Sequence, residues 1–409
     1  MDNINPIRKD LPTSFVKLVV LLGILNSFAP FSIDMYLAAF PNMAVDMNTS
    51  IENIQLTLSF FFFGLAVGQL IHGPISDRFG RRRPLMAGLL VYLFSTLVLV
   101  FVRDIQIFIL FRFIQALGGC AGMVICRAVV RDSFDVSESA KVFTVIMAVQ
   151  TVGPVLAPVA GAYLLTVFVW GASFVFLTLL GLFAFIATFF VLKESLPEEG
   201  RVRNSPRELL KNILVLFSRK EYLCPALAGS VGNGCIFCFI SASPYVLMNL
   251  YGFSATQYAF TFAVLSISIA IVSQCNFLLL KRFSARQVLL LGLSLIAFFG
   301  SITTIILDIF GLINPVFFMF MVFLSLMSLP LVVANSTALA MAGSGKMAGM
   351  ASSLIGVMQF SAAALVSFLM GVAGKLVYFP MTFLISLCGI IGFLIMISRG
   401  MEESSNENV

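Results

Sequence analysis

Long apolar runs alternate with short polar interruptions along nearly the whole chain. Within each run the apolar residues are continuous rather than every second one, which predicts helices and not the strands of a barrel. A helix needs about 20 such residues to cross roughly 30 Å of hydrocarbon, and it must bond its backbone polar groups internally. The pattern predicts twelve spans, near residues 15–41, 51–73, 84–102, 105–126, 142–167, 171–192, 222–248, 256–280, 287–307, 315–341, 347–373 and 376–398. The fold class expected is therefore all-α and integral to a membrane. Pro30, Pro154, Pro158, Pro244 and Pro330 fall inside spans, and each frees a backbone carbonyl that neighbouring helices must satisfy.

The polar interruptions organise the chain. Glu194–Glu221 is the one long polar stretch, and it divides residues 1–193 from 222–409, six spans on each side. Within it, Ser205-Pro206-Arg207-Glu208 followed by Leu209, Leu210, Ile213, Leu214 and Phe217 predicts a capped amphipathic helix lying at the membrane surface. Of the 25 Lys and Arg, only Arg103 and Lys375 fall on one side of the predicted membrane, and Arg112 falls within a span. All the others share the side of the central stretch, so the positive-inside rule puts that stretch and both termini in the cytoplasm. A short charged connector, Gly73–Pro84 (GPISDRFGRRRP), carries five charges in a protein that is only 11% charged. A weaker echo, Lys281-Arg282-Phe283, stands before the ninth span as Asp77-Arg78-Phe79 stands before the third, with Gly292 matching Gly88. Such an internal repeat suits two parallel halves related by an axis along the membrane normal.

Composition narrows the function. The chain is 60% hydrophobic, with a mean hydropathy of +1.04, so its net charge of +6 reports orientation and not a nucleic-acid partner. Seven cysteines lie mostly in apolar runs without an extracellular disulfide spacing. Cys235 and Cys238 form a CxxC inside a predicted helix with no further ligands, and His72 is the only histidine. Metal, redox and histidine-triad chemistry are therefore not expected, nor is any cofactor. No GxxxxGK[ST] loop is present, which argues against an ATP-driven pump. Met1–Leu18 is charged and contains prolines, unlike a cleavable signal peptide.

Within the spans one carboxylate stands out. Apart from Glu52 at the first turn of the second, Asp34 is the only acid inside any predicted span, and an isolated charge there must be paired, hydrated or neutralised. Asp34 precedes the outer end of span one by seven residues, and Arg112 follows the outer start of span four by seven. At 1.5 Å per residue both sit about 10 Å deep, so they interact directly or through water if their helices face one cavity. Asn26, Tyr36, Gln115, Asn233, Ser241 and Tyr245 are candidates to line the path, each with the alternative of bonding helix to helix. Most of the 43 phenylalanines should face lipid or pack between helices.

Taken together, these motifs resemble the major facilitator superfamily over essentially the whole chain. Gly73, Asp77, Arg78, Gly80, Arg81 and Arg82 stand where that superfamily's signature loop wants them. LFRFIQALGG around Arg112 is similar to the fourth-helix motif of the drug:proton antiporters with twelve helices. Gly153, Pro154, Pro158 and Gly161 are similar to their fifth-helix antiporter motif, with Ala157 and Ala162 where glycine is usual. SIDMYLAAFP at Ser32–Pro41, SASPYV at Ser241–Val246 and AGMASSLIGVMQF at Ala348–Phe360 resemble the Bcr/CflA drug-resistance transporters, with Ala38 in place of a proline.

The resemblance implies a fold of two pseudo-symmetric six-helix halves that places helices one and four on a central cavity. It implies a monomer in the bacterial inner membrane that exports amphiphilic compounds in exchange for protons, with Asp34 and Arg112 as the coupling pair. It also implies a cytoplasmic latch in which Asp77 meets the N-terminus of a second-half helix and Arg81 pairs with an acid closing span four, Asp132 first and Asp135 second. The same fold could instead carry a siderophore or an amino acid such as cysteine, or serve as a receptor or assembly factor that transports nothing.

Overall fold

The computed structural model describes residues 13–201, 206–311, 314–344, 347–373 and 378–406. Twelve helices among them are long and apolar enough to cross a membrane. The first half contains α1 (Thr13–Asp34), α2 (Phe40–Asp46), α3 (Ile51–Phe79), α4 (Arg82–Phe101), α5 (Ile105–Ser133), α6 (Val136–Val167) and α7 (Ala172–Val191). The surface helix α8 (Pro206–Ser218) leads into α9 (Lys220–Pro244), α10 (Ala255–Leu279), α11 (Ala285–Phe310), α12 (Pro315–Leu326), α13 (Leu329–Ala342), α14 (Ala348–Val372) and α15 (Tyr378–Asn406).

Several helices extend beyond the expected ends. The first span bends through a 3-10 turn at Leu37–Ala39 and continues as α2 to Asp46. After Pro244 the chain widens into a π-helical turn, Tyr245–Leu250, and the tenth span breaks between α12 and α13 just before Pro330. The 73–84 connector is mostly helix: α3 runs through Pro74 to Phe79, and the break falls at Gly80, whose φ of +88° and ψ of 170° lie in a region open essentially to glycine alone. Local caps set many of the other starts. Ser50, Asp104, Asp135, Ser254, Ser284 and Asn314 each accept a hydrogen bond from a backbone N–H of the first turn that follows.

Within the first half α5 packs on α3 and α4, and α1 on α6, whereas α9, α11, α14 and α15 form the matching framework of the second. The halves join along two seams, α3 against α14 and α6 against α10. In the second seam, Pro158 has no N–H for the Pro154 carbonyl one turn earlier, and the Ser266 hydroxyl of α10 lies 3.5 Å from that oxygen.

The two ends of the molecule differ. Away from the Gly80 break, buried side chains of both halves merge into one apolar core, including Tyr36, Leu37 and Phe40 with Ala242, Val246, Leu247 and Tyr258. At the end that carries the Gly80 break, called the basic end below, first-half residues such as Leu22, Leu25, Leu85 and Val129 form a core of their own. There the halves meet through polar and small groups: Gln69 lies against Gly356, and Arg131 against Gly349 at the start of α14.

Candidate functional site

Asp34 is the last residue of α1, only 3% exposed, and its Oδ1 has no hydrogen-bond partner. It does not pair with Arg112. The guanidinium instead donates to the Ser32 carbonyl at 3.0 Å and to Gln115 Oε1 at 2.5 Å, and it lies 4.4 Å from the Tyr36 ring centroid and 4.1 Å from that of Phe61. Depth along the membrane normal is common to both residues, but direction around the helix is not. The arginine is held by the Ser32 main-chain carbonyl, two residues before Asp34, and by the Tyr36 ring, in the turn two residues after it. Asp34 itself lies within electrostatic reach of Tyr258 in the second half, whose hydroxyl lies 3.2 Å from Ser243 Oγ.

Arg112 is fully buried without a carboxylate, so cation–π contacts and neutral acceptors must offset its lost hydration. The acceptors form a chain through three helices. Gln115 Nε2 donates to Thr96 Oγ1 at 2.9 Å, Thr96 donates to the Tyr92 carbonyl at 2.6 Å, and the Tyr92 hydroxyl lies 2.9 Å from Ser32 Oγ. Ser32, Phe61, Tyr92 and Thr96 were not among the sequence candidates. Tyr92, Ser95 and Thr96, the polar residues of an otherwise apolar stretch, were the available signal.

The fifth-helix motif packs directly behind Asp34. A side chain at Gly161 would collide with the Met35 carbonyl, and one at Gly153 would come within 3.1 Å of Pro30 Cβ. These two glycines bring α6 onto the backbone of α1, while Ala157 and Ala162 are buried in the common core.

At the basic end Arg81 is the hub. Its Nε donates to Asp132 at 2.7 Å, and its Nη1 donates to Asp77 at 2.5 Å and to Ser76 at 2.9 Å. Burial works against the Arg81 charge, but the hydrogen bonds and charges of Asp132 and Asp77 outweigh it and hold the pKa above its ordinary value. Glu194, at the end of the sixth span, accepts from the Arg81 backbone N–H at 2.7 Å and from that of Arg82 at 3.3 Å, capping α4. A side chain at Gly80 would strike that carboxylate. Glu194 was missed in the sequence, where its only mark is to be the first acid after an apolar run.

Two expectations for this end need correcting. Asp77 bonds Arg81 in its own half and not a second-half helix end: Gly73 lies beside Ser353, which puts Asp77 about level with the first turn of α14, yet its carboxylate is 48% exposed and turned to Arg81. Asp135 caps α6 by accepting from the Glu138 N–H at 2.9 Å, which leaves Asp132 as the acid on Arg81. Of the remaining connector residues, Arg82 donates to the Phe189 carbonyl at 2.7 Å and Arg78 lies over the Phe79 ring.

The proposed cavity residues divide in two. Tyr36 bonds Thr57 at 2.9 Å, Gln115 belongs to the Arg112 chain, and Ser241 donates to Ser367 at 2.7 Å, so these three bond helix to helix. Asn26 is buried with Oδ1 unpartnered, and Asn233 and Tyr245 are half-buried. Among the described residues no cluster of His, Cys, Asp or Glu is arranged to hold a metal. At the opposite end Asp46 Oδ2 accepts from Arg103 and from Trp170 Nε1, both at 2.9 Å, which ties α2 to the connectors that follow α4 and α6.

Residues 22–367 match the Major Facilitator Superfamily. A bicyclomycin resistance protein homolog of Haemophilus influenzae is 31% identical over 378 residues, 92% of this chain and 94% of that protein. An uncharacterized MFS-type transporter of Bacillus subtilis, YdgK, is 30% identical with the same coverage. The multidrug resistance protein MdtL of Salmonella paratyphi C is 29% identical over 265 residues, 64% of this chain and 66% of that one. Among solved structures, a D-xylose-proton symporter superposes with a TM-score of 0.73 over 94% of this chain and 96% of its own, at 12% identity, a likeness of fold.

Proposed function

The chain belongs to the major facilitator superfamily, and from that premise we propose that it is a proton-coupled antiporter exporting small amphiphilic compounds, antibiotics among them, by alternating access. Membership makes it a transporter rather than an enzyme. The names of its relatives, a bicyclomycin resistance homolog and a multidrug resistance protein, favour drug export over the carriage of a siderophore or an amino acid. In this reading the protein sits as a monomer in the bacterial inner membrane with the basic end in the cytoplasm, and the proton gradient drives it without a cofactor.

The observation that carries the coupling is Asp34: a buried acid with an unpartnered oxygen, facing the boundary between the halves. The apolar core covers it from the opposite end, where charge on an isolated carboxylate is costly. Opening that end admits water, and the carboxylate can then release its proton outward. Arg112 positions the segment rather than pairing with the acid, because it grips Ser32 and Tyr36 on either side. The Arg81 cluster braces α3, α4, α5 and the end of the sixth span as one unit, which must move together when the basic end opens. Polar contacts between the halves there separate into water at less cost than the apolar core opposite.

The test is proton release on adding substrate to the purified protein, together with uphill export in everted vesicles. Asp34→Asn should bind compounds but lose both signals, and Arg112→Lys, which loses the planar fork, should be impaired in both. Proton release and uphill export by Asp34→Asn at the wild-type level would overturn the assignment.

A further inference from the structure

The helix α8 has an apolar stripe that none of the other described residues covers. Leu216 is fully buried against the second half, with Ile213 and Phe217 packed around it. Leu210 and Leu214, one turn apart on a neighbouring strip of the same helix, are both 57% exposed. At 100° per residue, Arg207 and Lys211 form the adjacent row, one turn apart in the same register. Both rows, with Arg219, line an open groove of about 620 Å3. Glu208, the only acid of α8, lies beyond Arg207, away from the leucines.

Position decides what can meet this stripe. Only Arg219 separates the end of α8 from Lys220, where a spanning helix begins, so α8 lies at the level of the bilayer surface. An apolar strip flanked by a basic row at that level is the pattern of a helix resting in the headgroup region, with leucines toward the acyl chains and cations at the phosphates. A soluble partner would have to reach the same strip past the headgroups. We propose that α8 is a docking site for anionic phospholipid, in which Leu210 and Leu214 enter the acyl boundary and Arg207, Lys211 and Arg219 hold phosphate headgroups. The site holds the central stretch to the membrane beside the second half, and it is independent of the exported cargo.

The test uses the full chain in nanodiscs, with a spin label at Leu214→Cys in a Cys224→Ser/Cys275→Ser background; the other five cysteines are buried. Accessibility to oxygen and to a water-soluble nickel complex measures the ratio of membrane-inserted to water-exposed label. In phosphatidylglycerol the label should be inserted, and Arg207→Gln/Lys211→Gln should lower the ratio by about fivefold per basic residue removed. Phosphatidylcholine should give the lower ratio for both proteins. Equal ratios in the two lipids would overturn the proposal, as would a label exposed to water in both. Displacement by millimolar inorganic phosphate would instead make it a free-anion site, and dipolar broadening between labels would make it a contact between copies.

Discussion

The junction between α3 and α4 and the junction between α10 and α11 occupy the same place in the two halves and are built in different ways. In the first, Arg81 is buried and bound to Asp77, Ser76 and Asp132, and α4 is capped by Glu194 from 113 residues further along the chain. In the second, Lys281, Arg282 and Phe283 are exposed, Lys281 lies over the Phe277 ring, and α11 starts from a capping box made by its own Ser284 and Gln287. Where the first junction has the acid Asp77, the second has the base Lys281. A helix capped from within its own first turn needs nothing from the rest of its half. A helix capped by a remote carboxylate moves with the segment that supplies it, so only the first junction ties four spans into one body. The repeat supplies the fold twice but the clasp once.

Substitutions can break this contrast. Arg81→Gln should have the largest effect, because it leaves Asp132 and Asp77 facing each other without a cation. Removing one partner of a buried pair costs about 3 to 5 kcal/mol, and exposure of Asp77 puts the expected loss toward the lower end. Thermal unfolding in detergent should shift down by several degrees, and export should fall at equal membrane abundance. Gly80→Ala comes next, at about 1 to 3 kcal/mol, since alanine cannot adopt that backbone conformation cheaply and its methyl would strike Glu194. Glu194→Ala should relieve the collision but not the backbone, so a double mutant that recovers only part of the lost stability is the expected readout. Lys281→Gln/Arg282→Gln should be smallest, within about 0.5 kcal/mol and without effect on export, as for exposed positions elsewhere. Export reduced by this double change as much as by Arg81→Gln would remove the asymmetry.

The number of spans and their helical class were legible in the sequence, because both rest on local energetics. An apolar run must cross the bilayer as a helix wherever it stands, and basic residues mark one side without reference to any partner. Asp34 and Arg112 were legible as charges within spans for the same reason, whereas Asp132 came only from the resemblance, as the first of two acids that could close span four.

Which groups meet was decided by the tertiary structure. Spacing along α1 and α5 set the depth of Asp34 and Arg112, but rotation about each helix axis turned them to different neighbours, and that rotation follows from packing such as Gly161 on the Met35 carbonyl. Tyr36, Gln115 and Ser241 look the same in sequence whether they line a path or bond a neighbouring helix, and only the positions of Thr57, Arg112 and Ser367 distinguish the two. Glu194 reaches α4 across more than a hundred residues, a pairing for which a single chain carries no local signal. Burial energy acts residue by residue and can be read along the chain, whereas hydrogen-bond partners depend on the packed arrangement of helices that are distant in sequence.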